Sequence, residues 1–176
     1  MLTVQENTAV MREVGMLKWL WLSALAIVLD QASKLTVDST MQLYESIPLM
    51  PYFNLTYVHN TGAAFSFLSE AGGWQRWFFA ALAFIISAVL SVWLARLQKH
   101  ETLLAIALSL VLGGAIGNLI DRLAYGYVID FLDIYYNNWH WPAFNIADSA
   151  ITLGVALMLA ESFGLGKAKE EANTPE

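Results

Sequence analysis

The sequence predicts an all-α membrane protein of four transmembrane helices, and three observations carry that prediction. First, hydrophobic residues make up 57 % of the 176-residue chain and charged residues only 14 %, against about 25 % charged in ordinary soluble domains. A chain this short would need a larger polar surface to stay in water. Its mean hydropathy of +0.51 points to a bilayer as the place for the excess apolar surface. Second, four segments reach the roughly 20 mostly apolar residues that a spanning helix needs, at 17–37, 74–95, 102–120 and 144–165. Third, the basic residues divide unevenly between the two sides these spans define. Arg12, Lys18, Arg96, Lys99, Lys167 and Lys169 fall on the side of the N-terminus, and Lys34, Arg76 and Arg122 on the other. The excess places both termini in the cytoplasm.

The first span is uncharged from Trp19 to Leu29 and is then interrupted by Asp30 and Lys34. Read as a cleavable leader, it would leave three spans, and the polar residues after Leu29 do not form a small-residue cleavage site. The outward segment 38–73 contains Tyr52 to His59, rich in aromatic and β-branched residues, followed by Asn60-Thr61-Gly62. This reads as a short strand and a turn. The second span has no charge from Trp77 to Ala95 and the third has none at all. The third also carries Gly113 and Gly117 at the spacing of a close-packing helix face. The second outward segment, 121–143, is studded with aromatic residues (Tyr125, Tyr127, Phe131, Tyr135, Tyr136, Trp139, Trp141) that suit the headgroup level. The fourth span has Asp148 near its start and Glu161 near its end, and 166–176 reads as a solvated tail. The whole chain, 1–176, is expected to form a single integral membrane domain.

Several chemistries are excluded. Nine basic residues against fifteen acidic ones lack the basic patch of a nucleic-acid binder. With no cysteine, thiol catalysis and thiolate metal sites are ruled out. His59, His100 and His140 have no metal-ligand spacing. Ser66, Ser69 and Ser149 have no general base at motif spacing. The reading calls for no metal and no cofactor.

Ionisable residues inside a membrane are costly and therefore candidate functional groups. The predicted topology brings Asp30 and Lys34, Asp121 and Arg122, Asp130, Asp133 and Asp148 to one level, the outer end of the bundle. Asp30 and Lys34, four apart with the acid first, have the favourable order for an ion pair. They and Asp121 and Arg122 suit an orienting, anchoring role. Asp130, Asp133 and Asp148 have no cation nearby in sequence. Two carboxyl groups held close together cannot both ionise easily, so one keeps its proton while the other acts as base, which is what water activation requires. Spacing alone leaves Asp130 and Asp133 equally open as the partner of Asp148. A proton-conducting transporter would place its carboxylates nearer the midplane. An assembly scaffold would account for the glycine face but not for unpaired carboxylates.

Five motifs occur in order: Asp30-Gln31-x-Ser33-Lys34, Asn60-x-Gly62-Ala63-Ala64-Phe65, Gly113-Gly114-Ala115-Ile116-Gly117-Asn118-Leu119-Ile120-Asp121-Arg122, Val128-x-Asp130-Phe131 and Phe144-Asn145-x-Ala147-Asp148-Ser149. Together with four spans they resemble the bacterial lipoprotein signal peptidases, or signal peptidase II, over residues 17–165. The resemblance implies an intramembrane aspartyl endopeptidase of the bacterial inner membrane. It would cut prolipoproteins just before the diacylglyceryl-modified cysteine, with its site on the periplasmic side. It also implies the pair Asp130 and Asp148 as catalytic residues. Asp30, Lys34, Asn54, Asn60, Gly62, Asn118, Asp121, Arg122 and Asn145 would build and orient the site or bind substrate. A small extracytoplasmic β-cradle would lie between helices one and two. Expected partners are the prolipoprotein signal peptide, membrane lipids and peptide inhibitors such as globomycin.

Overall fold

The computed structural model describes residues 15–62 and 72–164. A 3-10 turn, Leu17–Trp19, leads into α1, Leu20–Thr40. Two strands follow, β1 at Ser46–Met50 and β2 at Phe53–Asn60, then α2, Gln75–Arg96, and α3, Thr102–Ala124. Strands β3, Val128–Tyr136, and β4, Trp139–His140, precede α4, Ile146–Ser162. Among the described residues three helical stretches are long and apolar enough to cross a membrane: Leu17–Thr40, Gln75–Arg96 and Thr102–Ala124. The fourth helix has 17 residues.

Helix α3 is the hub of the helical part, packing against α1, α2 and α4. Its glycines make this possible. A Cβ on Gly113 would fall 2.9 Å from the Cα of Ser23 on α1, and one on Gly114 would fall 2.3 Å from the Ala147 carbonyl oxygen on α4. The close-packing face expected from Gly113 and Gly117 is thus used, and Gly114 adds a second face for α4. At the end away from the sheet, Leu90, Leu94, Leu104, Leu108 and Leu112 form an apolar cluster. The Ser23 hydroxyl donates to the Ser109 carbonyl at 2.6 Å.

The sheet differs from expectation in its origin. All four strands pair antiparallel in the order β1-β2-β3-β4, so half of it comes from the connection between α3 and α4 rather than from the segment between helices one and two. The run Val128 to Phe131 is buried on both faces, so it lacks the apolar–polar alternation that marks a half-exposed strand. Its turn, Asn137-Asn138, places Asn137 at φ +54°, a conformation that asparagine tolerates better than most residues. Tyr57, Ile129 and Phe131 pack on Val37 and Met41 at the end of α1, which fixes the sheet to the bundle.

Helix α3 also runs beyond the predicted limit of residue 120 to Ala124, so Asp121 and Arg122 are helical. The extension is capped from α2, where Arg76 donates from Nε to the Arg122 carbonyl at 2.7 Å and from Nη2 to that of Leu123 at 2.8 Å. These are among the carbonyls a helix C-terminus leaves without intrahelical partners. Ala63-Ala64-Phe65, Ser66, Ser69 and the tail 166–176 lie outside the described residues.

Candidate active site

Two polar clusters meet where α1, α3, α4 and the sheet converge. The first is built around Lys34, which is 1 % exposed. Its ammonium has three protons and three acceptors: Asp30 Oδ2 at 2.7 Å, Asp121 Oδ2 at 2.9 Å and Asn118 Oδ1 at 2.9 Å. The expected Asp30–Lys34 pair is therefore present. Asp121 pairs with Lys34 rather than with its neighbour Arg122. The rest of each carboxylate is used as well. Asp30 Oδ1 accepts from the Ala147 amide at 2.9 Å, in the first turn of α4, where free amides and the helix dipole favour an anion. Asp121 accepts from the Ile129 amide at 3.2 Å and from Gln31 Nε2 at 2.8 Å.

Gln31 was not singled out in the sequence, although it stands in the first motif. Its amide also reaches Asp30 Oδ2 at 3.3 Å and the Gly117 carbonyl at 3.2 Å. Gly117 allows this approach, since a Cβ there would fall 2.7 Å from Asp30 Oδ2.

The second cluster contains Asp130 and Asp148. Asp130 sits on β3 and is 2 % exposed. Its Oδ1 accepts from Asn145 Nδ2 at 2.7 Å and its Oδ2 from Asn60 Nδ2 at 2.9 Å. Asp148, half-buried in the first turn of α4, accepts from Asn118 Nδ2 at 2.7 Å. Asn145 joins the two. It is the N-cap of α4, taking the Asp148 amide on Oδ1 at 2.9 Å, and its Nδ2 also lies 3.2 Å from Asn118 Oδ1. The cap is therefore Asn145, three residues before Asp148, at the spacing of a capping box. A chain of neutral amides runs from Asp130 through Asn145 and Asn118 to Asp148. Lys34 sets its polarity, because donation to Asn118 Oδ1 turns the amide's NH2 toward Asp148.

Burial is the main cause that pushes the Asp130 carboxyl up to about 7, and the charge of Asp148 adds to it. The hydrogen bonds from Asn60 and Asn145, and the charge of Lys34, work in the other direction. Among the described residues neither carboxylate of this cluster forms a salt bridge. No group of three or more His, Asp and Glu among them could hold a metal ion.

Arg122 closes the site on another side. It donates to the Asn118 carbonyl at 3.2 Å and the Gly62 carbonyl at 3.0 Å, with its guanidinium over the Phe79 ring. Asn60 Oδ1 holds the Gly62 amide at 3.0 Å. A cavity of about 890 Å³ opens beside these groups. Asn60, Asn118, Arg122 and Asp148 form its polar part. Ile151, Leu153 and Ala156 of α4 line one flank, and Ile134, Trp139 and Trp141 another.

Asp133 and Asn54 are placed elsewhere. Three residues apart on one strand, Asp130 and Asp133 project to opposite faces. Asp133 accepts from Asn54 Nδ2 at 2.7 Å and faces His140 Nδ1 at 2.9 Å. Asn54 is thus brought to Asp133 and not to the Asp130–Asp148 pair. A β-bulge in β2 between Leu55 and Val58 resets the register that sets Asn60 beside Asp130, and nothing in the sequence pattern signals it.

Comparison with known proteins places this geometry in context. A family model described as signal peptidase (SPase) II matches residues 22–164. The lipoprotein signal peptidase of Alteromonas mediterranea is 58 % identical over 165 residues, covering 94 % of this chain and 90 % of that protein. That of Pseudomonas fluorescens is 55 % identical over 158 residues, covering 89 % and 93 %. A solved structure described as a bacterial membrane enzyme superposes with a TM-score of 0.77 at 30 % identity, covering 90 % of this chain and 94 % of that one.

Proposed function

The chain belongs to the signal peptidase II family, a family of lipoprotein signal peptidases, and from that premise we propose that it is an aspartic endopeptidase. Its substrate is a prolipoprotein whose cysteine carries a diacylglyceryl group, and the bond cut lies immediately before that cysteine. The observation that carries this reading is the pairing of Asp130 and Asp148 through neutral amides at the polar end of an otherwise apolar cavity.

The pair holds one proton between the two carboxyl groups. The ionised member takes a proton from water. The water oxygen attacks the scissile carbonyl, whose oxygen is protonated by the other member, giving a gem-diol. Collapse of the gem-diol expels the cysteine amine, which receives a proton from the pair. The titration is coupled, so the proton belongs to the pair rather than to one residue. Asn118, Asn145 and Asn60 hold the two carboxylates in register. Lys34, Asp30, Asp121 and Arg122 position the elements that carry them.

Four spans, the fourth being α4 with its flanking residues, and cytoplasmic termini put the sheet and the pair at the outer face of the bacterial inner membrane. That is the level at which a diacylglyceryl-cysteine would lie. The apolar flank along α4 would receive the signal peptide and the acyl chains from the bilayer, and globomycin-type peptides would compete for the same cavity. The test is a gel-shift cleavage assay of the purified protein in detergent, using a diacylglyceryl-modified prolipoprotein and its unlipidated form. Cleavage of the lipidated form alone is the expected result. No cleavage by a folded protein would return the site to the transporter or scaffold readings.

A further inference from the structure

The proposed cleavage accounts for the flank of the cavity along α4 but not for the opposite one, made by the β3–β4 hairpin. Trp139 and Trp141 are 60 % and 45 % exposed and meet edge to face, with ring centroids 6.0 Å apart. Both line the cavity that holds Asp148, together with Ile134 and Phe144.

The hairpin is firmly held. The Trp141 amide donates to the Ile134 carbonyl at 2.8 Å, and the Phe144 amide to that of Leu132 at 3.0 Å. Tyr135 pairs with His140 along the backbone and stacks on its ring at 5.3 Å. Asp133 links the His140 ring to Asn54 of β2. These bonds fix the hairpin backbone, so its two indoles, set edge to face, are presented from a preformed wall, which costs less ordering entropy on binding than a mobile loop would.

The geometry points to this wall as the subsite for the mature side of the substrate, the peptide that follows the lipidated cysteine. This assignment rests on the proposed proteolytic reading. A bond cut at Asp130 and Asp148 leaves a membrane-embedded helix on one side and an extended, water-bound chain on the other. Helix α4 can flank only the first, and β3 and β4 lie outside the membrane-spanning segments. At about 3.3 Å per residue along β3, Ile134 lies roughly 13 Å from Asp130. Tyr136, the backbone partner of Trp139, lies roughly 20 Å away on the same rise. An extended substrate covers those distances in about four to six residues, the reach over which the wall reads the chain.

The experiment compares two synthetic diacylglyceryl-cysteine peptides that share one signal sequence. One ends two residues after the cysteine and the other continues for eight. The readout is the ratio of kcat/KM for the long peptide to that for the short one, measured with the full-length protein in detergent. Aromatic contacts of this kind support a ratio of about tenfold in the unsubstituted protein. Trp139→Ala is expected to bring the ratio close to one, and Trp139→Phe to restore most of it. General damage to the fold lowers both values and leaves the ratio unchanged. An unsubstituted protein indifferent to length, or a ratio that Trp139→Ala does not change, overturns the subsite and assigns the indoles to the headgroup layer. If Asp148→Asn still cleaves either peptide, the proteolytic reading fails instead.

Discussion

Two groups of carboxylates lie side by side in this protein, and they are treated in opposite ways. Asp30 and Asp121 share one buried ammonium, and all three of its protons are accounted for. Asp30, Lys34 and Asp121 are not among the residues that line the cavity beside Asp148. Among the described residues, the hydrogen bonds to the Asp130 and Asp148 carboxylates come from asparagine amides, and Asp148 borders the cavity. A cation in contact fixes a carboxylate as an anion, whereas neutral donors leave burial and mutual repulsion free to keep a proton on the pair. On the proposed reading, the same residue type serves as structure in one cluster and as a proton-exchanging group in the next.

The most direct way to break this comparison is to remove ionisation from each group in turn. Asp130→Asn and Asp148→Asn should each lower the cleavage rate by at least about 10³-fold, near the upper range of general acid–base catalysis. Both variants should keep the thermal transition of the unsubstituted protein in detergent. Substantial turnover by either would remove that residue from the pair. Lys34→Met should act the other way round, on the fold first. It strands two buried carboxylates, which costs about 3–5 kcal/mol and should appear as a lower Tm before any assay. An unchanged Tm would contradict the structural role assigned to the ion cluster.

A pH profile sharpens the comparison. With the Asp130 carboxyl pushed up to about 7, the proposed mechanism predicts that the shared proton is kept below that pH and lost above it. Cleavage should therefore fall on the alkaline side, by about tenfold per pH unit beyond the limb. The Asn60 hydrogen bond favours the ionised form of Asp130, so Asn60→Ala should move the limb to higher pH. A limb that stays in place would dissociate it from Asp130. The smallest effect is expected at Asp133, on the opposite face of β3. Asp133→Asn should leave cleavage of a short lipopeptide within about twofold, since Asp133 is buried against Asn54 and His140 rather than facing the pair, and the near-isosteric amide keeps most of those contacts. A folded but inactive variant would move the pair.

Much of this organisation was legible in the sequence. Charge depletion and apolar runs announced the three long apolar helices, and the four-residue spacing of Asp30 and Lys34 announced their ion pair, because both signals depend on neighbours in the chain. The strand Phe53–Asn60 was legible for the same reason. Strand β3 was hidden because burial on both faces removed its alternation. Gln31 was hidden because its partners, Asp121 and Gly117, are 90 and 86 residues away.

The sequence by itself determined that polar groups would gather at one end of a membrane bundle, since hydropathy and charge order are local properties. Only the tertiary structure decided which carboxylates share the Lys34 ammonium and which are joined through asparagine amides. The pleat of β3 turns Asp130 toward Asn145 and Asp133 away from it. The glycines of α3 bring Asp30 to the N-terminus of α4. Lys34 orients an amide that points at Asp148. Each of these depends on atoms from separate elements meeting within 3 Å or so, a distance at which hydrogen-bond geometry, not chain order, sets the energy.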